Sequence, residues 1–413
     1  MRCAACGVHV DIAAPLSWAC PNATAADRHH ALQLVDGPAA PASPRRADGG
    51  PGPFGRFRSR LAWDSFASAN GMTDAARAAL VASLDAPLGF SITPFGRADA
   101  LSDALGFSDR GGVWVKDETG QVGGSHKARH LFTILLHLRA AEALGLATWR
   151  SPEERPTLAI ASCGNAAIAA ATLAQSVAWP IEVFVPPTAD AAVLDLLGSL
   201  GAQVVTCPRR DADPPGDPCV HRFREAVAGG AVPFSVQGTE NVWCLDGGRT
   251  IGWEIADAGV ALDRVFVQVG GGALAAGVAA GLGGARLHTV QTGSSAPLVR
   301  AWQRADHEAR RRPATHWDEL MWPWEDVRPS LADGILDDET YDWIPVVEAM
   351  TASGGAAVEL DETHVRRAYD LVHEHTSVDA SATGTAGLAG VLATRDAIAD
   401  DEKVAIVLSG IRR

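Results

Sequence analysis

Residues 112–145 read GVWVKDETGQVGGSHKARHLFTILLHLRAAEALG. GVWVKDE is a short run rich in β-branched and aromatic residues, which predicts a strand. SHKARHLFTILLHLRAAEALG carries apolar residues on one face at helical spacing, which predicts a helix. Between them Gly123 and Gly124 allow a tight turn, and Ser125 is placed to cap the helix that follows.

The same strand–turn–helix grammar repeats outward. TLAIAS, IEVFVPP, QVVTC, RVFVQV, LHTVQ and KVAIVLS read as strands. NAAIAAATLAQSV, ADAAVLDLLGSLG, ALAAGVAAGL, THVRRAYDLVHEH and TAGLAGVLATRDAIA read as helices. The expected fold class is therefore α/β, with two parallel-sheet domains and helices on both faces. In such sheets ligands sit beyond the carboxyl ends of the strands. No internal repeat of fixed period is present.

A chain of 413 residues is too long for one small core. Its 47% hydrophobic and 20% charged content suits a soluble globule. A net charge of -14 argues against nonspecific nucleic-acid binding and suits a solvated cytoplasmic enzyme. The N-terminus lacks a charged segment followed by an apolar one, so no signal peptide is expected. VFVQVGGGALAAGVAAGL (265–282) raises the question of a membrane span, but Gln268 and three successive glycines fit a buried strand, turn and helix better.

The seven cysteines are odd in number, which suggests reduced thiols. Cys3, Cys6 and Cys20 resemble a zinc ribbon, which needs four N or S ligands. Ala23 stands where a second CxxC would end, and His29 or His30 can substitute. A ribbon that has lost its metal remains an open alternative. Residues 1–35 thus read as a degenerate zinc-ribbon-like element, and the Pro/Gly-rich residues 36–56 as a linker.

Four features carry chemistry. Lys127 lies in the first helical turn, where the helix dipole disfavours a structural cation and favours a neutral or imine-bound amine. ASCGNAA (161–167) follows an apolar strand and opens a helix, so its backbone N–H groups suit an anion such as a substrate carboxylate. Asn165 adds a directed amide, although Ser162 or Asn165 as a simple helix cap is the plain alternative. VQVGGGALAAG (267–277) places glycines between strand and helix, where the backbone wraps a phosphate. Gly270, Gly272 and Gly277 do not match the dinucleotide spacing G-x-G-x-x-G, and LHTVQTG ends without the acid that holds a ribose. An NAD-binding oxidoreductase is therefore disfavoured. Finally, Ser409 ends the apolar run VAIVLSG, where a hydroxyl can bond a ring nitrogen without imposing charge.

Taken in order, these motifs resemble the tryptophan-synthase β-like group of pyridoxal-phosphate enzymes (fold type II), from about residue 88 to the C-terminus. KDETGQVGGSHKAR is similar to the group's lysine motif, which implies that Lys127 holds pyridoxal 5′-phosphate as a Schiff base. ASCGNAA resembles the group's Ser-x-Gly-Asn loop. It implies that Ser162, Gly164, Asn165 and Ala166 bind the substrate carboxylate, with Asn165 also at the cofactor's 3′-oxygen, while Ser125 in the lysine motif is a further expected substrate contact. VGGGAL resembles the glycine loop, so Gly270, Gly271, Gly272, Ala273 and Leu274 would hold the phosphate. Ser409 matches the residue at the pyridine nitrogen. NVWCLDGGRTIGWEI, QTGSSAPL and SLADGI are softer matches.

The resemblance implies a larger cofactor domain of residues 57–115 and 236–413 and a smaller α/β domain of residues 116–235 carrying the carboxylate loop. It also implies a homodimer. The chain departs from the group at Gln121-Val122-Gly123, at His126 and at Ser381-Ala382. SLADGI points to a lyase of the serine/threonine dehydratase type acting on a hydroxy amino acid. QTGSSAPL and the N-terminal cysteines point to a threonine synthase-like replacement instead. A pyridoxal-phosphate fold used as a non-catalytic binding module is the third reading, and intact Lys127, Asn165 and Ser409 speak against it.

Overall fold

The computed structural model describes residues 1–24, 27–35, 50 and 52–413. Of the stretch read as a linker, 36–49 and 51 lie outside the described residues, and Gly52–Arg56 is helical. The strands in chain order are β1 (Arg2–Cys3), β2 (Leu32–Gln33), β3 (Phe95–Arg97), β4 (Gly112–Asp117), β5 (Leu158–Ala161) and β6 (Ile181–Val185). They continue with β7 (Gln203–Thr206), β8 (Val232–Pro233), β9 (Arg264–Gln268), β10 (Arg286–Thr292), β11 (Ala356–Leu360) and β12 (Lys403–Leu408). By contacts the chain divides into two units. One joins 1–92 with 127–250, and the other joins 93–126 with 251–413.

The first unit is built on a parallel sheet in the order β7-β6-β5-β8. β5 is apolar at nearly every position because helices cover the sheet. Ala159, Phe184, Cys207, Cys219 and Phe223 pack together on it, the two thiols acting as small hydrophobes. The N-terminal residues form the antiparallel pair β1–β2.

The helix Lys127–Ala143 departs from the one-faced pattern that its sequence predicts. Its buried residues run almost without a break from Ala128 to Ala141. The polar ones are matched by other segments of the same unit. Arg129 donates to Thr250 Oγ1 (2.9 Å), and Thr133 to the Trp243 carbonyl (2.7 Å). A ring nitrogen of His130 lies 2.8 Å from the Cys244 carbonyl, and His137 Nε2 accepts from the Leu16 amide (3.2 Å). Polar residues tolerate such burial only when bonded in this way. Gly247 and Gly248 allow the close approach: a side chain at either would collide with the Arg129 carbonyl or the His130 ring.

The second unit is a six-stranded sheet in the order β11-β10-β9-β12-β4-β3. All pairs are parallel except β3 against β4. Helices Glu362–His375 and Ala382–Ala393 pack on it over Phe266, Val290, Ile406 and Leu408. The α/β class with parallel sheets is the observed one. The apolar stretch 265–282 resolves into β9, a glycine turn and the helix Ala273–Ala279. Among the described residues no helix is long and apolar enough to cross a membrane. β11 is among the strands that the sequence reading omits.

Candidate active site

The carboxyl end of β5 delivers Ser162, Cys163 and Gly164 to the start of helix Asn165–Ser176. Gly164 N donates to Ser162 Oγ (3.3 Å). No side chain caps this helix, so neither Ser162 nor Asn165 serves as the cap that the plain alternative supposed. Ala166 is buried behind the turn. Lys127 opens another helix of this unit and is half-buried.

In the second unit the carboxyl ends of β4, β12 and β9 lie side by side, since Asp117 pairs Leu408 and Ile406 pairs Phe266. They carry Glu118, Ser409 and Gly270. Gln268 Nε2 donates to the Gly384 and Val407 carbonyls (3.0 Å each) and to Ser409 Oγ (2.7 Å). Two flanking carbonyls can be met only by the amide nitrogen, which fixes the orientation of this side chain. Ser409 Oγ therefore accepts from Gln268, which leaves its own hydrogen to be donated elsewhere.

The Ser409 carbonyl accepts from the His126 backbone (3.1 Å), and His126 Nδ1 lies 3.0 Å from the same oxygen. Ser125 pairs with Gly410 in a β-bridge and is extended rather than helical. The helix begins only at Lys127. The two residues before the lysine are thus pinned to the end of β12.

Gly270, Gly271 and Gly272 leave β9 and lead into the short helix Ala273–Ala279, whose Ala273 and Leu274 are buried. Gly272 has φ +101°, open to glycine at little cost. The segment 335–342 packs against this turn. Gly271 O accepts from the Asp342 amide (2.7 Å), and a side chain at Gly270 would collide with the Asp337 carboxylate.

Only three lysines occur in the chain: Lys116, Lys127 and Lys403. Lys116 is fully buried, donates to the Thr93 carbonyl (2.7 Å) and pairs with Glu254. Lys403 begins β12, at the end of the strand opposite Ser409, with its ammonium 5.9 Å from the Trp114 ring. Lys127 is left as the lysine at a strand-to-helix turn. Beside it on the helix, burial and then the charge of Lys127 hold His130 down to a pKa of about 3. Burial does the same to His137, also about 3. Both imidazoles are neutral at physiological pH.

The family described as pyridoxal-phosphate dependent enzyme matches residues 87–410. This chain belongs to that family. The family's cofactor fits the residues present. Lys127 supplies an amine at a strand-to-helix turn, and Ser409 is a buried hydroxyl that accepts from Gln268, leaving its own hydrogen for a ring nitrogen. Against the fit stands the Asp337 carboxylate beside Gly270, since it opposes an anion on the glycine turn.

Among curated members, L-threonine ammonia-lyase of Thermotoga maritima is 27% identical over 319 residues, covering 75% of this chain and 70% of that protein. Among solved structures, the processed form of threonine deaminase isoform 2 from Solanum lycopersicum superposes with a TM-score of 0.61 at 19% identity, over 83% of this chain and 92% of that one. Maize serine racemase does so at 0.60 and 18% identity, over 80% and 91%. These structures share the enzyme's fold while their reactions differ, so the fold alone does not select one.

Sequence reasoning missed Gln268 as the partner of Ser409, the Lys116–Glu254 pair and Asp337. Gln268 had one signal, an amide in an otherwise apolar strand. Cys3, Cys6 and Cys20 are brought together near the N-terminus, and His30 joins them while His29 does not.

Proposed function

We propose that the protein is a pyridoxal-phosphate dependent lyase that deaminates a hydroxy amino acid, serine or threonine. The observation that carries this reading is the hydrogen-bond direction at Ser409. A neutral hydroxyl donor leaves the ring nitrogen without a full charge and makes the cofactor a moderate electron sink. That suits loss of a β-hydroxyl promptly after the α-proton, rather than a long-lived carbanion. The L-threonine ammonia-lyase activity of the Thermotoga maritima relative supports the same choice.

When bound, the cofactor supplies electron withdrawal from the substrate Cα. The chain's residues do the rest. Lys127 Nζ takes the Cα proton. Ser162, Gly164, Asn165 and Ala166 hold the substrate carboxylate with backbone N–H groups at the helix start, and Ser125 is a further substrate-binding residue. Asn165 also contacts the cofactor's 3′-oxygen. Gly270, Gly271, Gly272, Ala273 and Leu274 hold the phosphate, and Ser409 Oγ donates to the ring nitrogen. The enzyme acts as a cytoplasmic homodimer on a free amino acid.

The test mixes purified holoenzyme separately with serine, threonine and O-phosphohomoserine. Keto acid from serine or threonine is the expected product. Phosphate release from O-phosphohomoserine without keto acid would replace this reading with a synthase.

A further inference from the structure

Residues 1–33 have few large apolar side chains to hold them. Among the described residues of this stretch the buried hydrophobic ones are Cys3, Cys20, Ala31 and Leu32, and β1–β2 pairs two residues a side. Elements this small need a staple. Four side chains converge where one would sit. Cys3 Sγ, Cys6 Sγ, Cys20 Sγ and a ring nitrogen of His30 lie within 4.8 Å of one another.

The spacing is that of a metal tetrahedron. Zn–S bonds of about 2.3 Å and Zn–N bonds of about 2.0 Å place two sulfurs about 3.8 Å apart and a sulfur about 3.5 Å from a nitrogen. Cys6 and Cys20 sulfurs are 3.7 Å apart, and His30 Nδ1 is 3.6 Å from Cys3 and 3.5 Å from Cys20. His30 Nε2 faces the Asp27 carboxylate at 3.3 Å. A carboxylate on the far nitrogen is the usual arrangement that sets tautomer and ring direction for a metal-bound histidine. The Asn22 amide donates to Cys6 Sγ (3.4 Å), which would steady a thiolate.

The chain between Cys6 and Cys20 reaches the Lys127 helix. Leu16, a non-glycine residue at φ +53°, donates its amide to His137, and the Ser17 carbonyl accepts from the Trp243 indole (2.8 Å). The Trp18 carbonyl accepts from the Val242 amide (2.9 Å), and the Trp18 ring meets His137 edge-on at 5.7 Å. A left-handed leucine persists only where its surroundings hold it.

We propose that Cys3, Cys6, Cys20 and His30 bind one zinc ion as a structural site of three thiolates and one imidazole, which clamps the Leu16–Trp18 turn onto the helix carrying Lys127. Asp27 is a positioning residue that orients His30.

The test uses the full chain, purified under reductant. It should contain about one zinc per chain by elemental analysis, and cobalt replacement should give the intense visible bands of a tetrahedral thiolate site. His30→Ala should hold less than about a tenth of the metal, while His30→Cys, which keeps four ligands, and His29→Ala should hold all of it. Asp27→Asn should weaken zinc about tenfold. Metal removal should speed hydrogen exchange at the Leu16 and Val242 amides at least about tenfold. A chain that takes up no zinc under reductant, or full zinc retention by His30→Ala, overturns the site. Unchanged exchange after removal overturns the clamp. Cobalt spectra of the native chain decide the matter if His30→Ala does not fold.

Discussion

Lys116 and Lys127 stand close in sequence and live in opposite surroundings. Lys116, on β4, is fully buried with the Glu254 carboxylate and the Thr93 carbonyl around its ammonium, and Glu254 also accepts from the Thr93 amide (3.1 Å). Lys127 begins a helix, half-buried, with Arg129 and a neutral His130 among its neighbours. A buried ion pair fixes its lysine as a charged, inert part of the sheet. A helix start that disfavours positive charge favours a neutral, nucleophilic amine, the role proposed for Lys127. Residue type alone does not make a catalytic amine, and partner geometry does.

The sharpest test of that contrast is Lys127→Ala. It should abolish the visible absorption of bound cofactor and lower keto-acid formation by about 10³-fold or more, with the melting curve little changed. Lys116→Met should do the reverse. Stranding Glu254 should cost about 3–5 kcal/mol in urea denaturation, and Lys116→Met with Glu254→Gln should recover much of it. Survival of activity in the first variant, or native stability in the second, would erase the distinction.

The neutral imidazoles on the Lys127 helix give a pH test. His130 and His137 have folded pKa values of about 3, below the ordinary value of 6.5. Below 6.5 the unfolded chain binds protons that the folded chain refuses, so stability should fall as pH drops from 6.5 toward about 3. Each histidine contributes up to about 1.4 kcal/mol per pH unit. In urea titrations His137→Gln, which still offers Leu16 an acceptor, should lose about half of that slope.

Smaller effects are expected where the cofactor is only steadied. Ser409→Ala should weaken activity about tenfold, the worth of one hydrogen bond, and shift the cofactor spectrum. Asp337→Asn should tighten cofactor binding a few-fold in equilibrium dialysis by removing a carboxylate from beside Gly270. Weaker binding would mean that this carboxylate supports the turn.

Much of the enzyme was written locally. Alternation of apolar strands with helices set the α/β class. The glycine turns after β5 and β9 and the Gly-Ser-His-Lys turn before the long helix announced themselves by residue type and spacing, because backbone freedom and hydrogen-bond capacity belong to single residues. What only the tertiary structure decided are pairings between distant segments: Glu254 with Lys116, Gln268 with Ser409, His30 rather than His29 with the cysteines, and Asp337 against Gly270. The Lys127 helix shows the reason. Its sequence marks Arg129, His130, Thr133 and His137 as polar and hence exposed, yet each is buried because Thr250, Cys244, Trp243 and Leu16 return to meet it. A pattern along one segment records what that segment prefers in water, whereas burial depends on which partners the rest of the chain brings back.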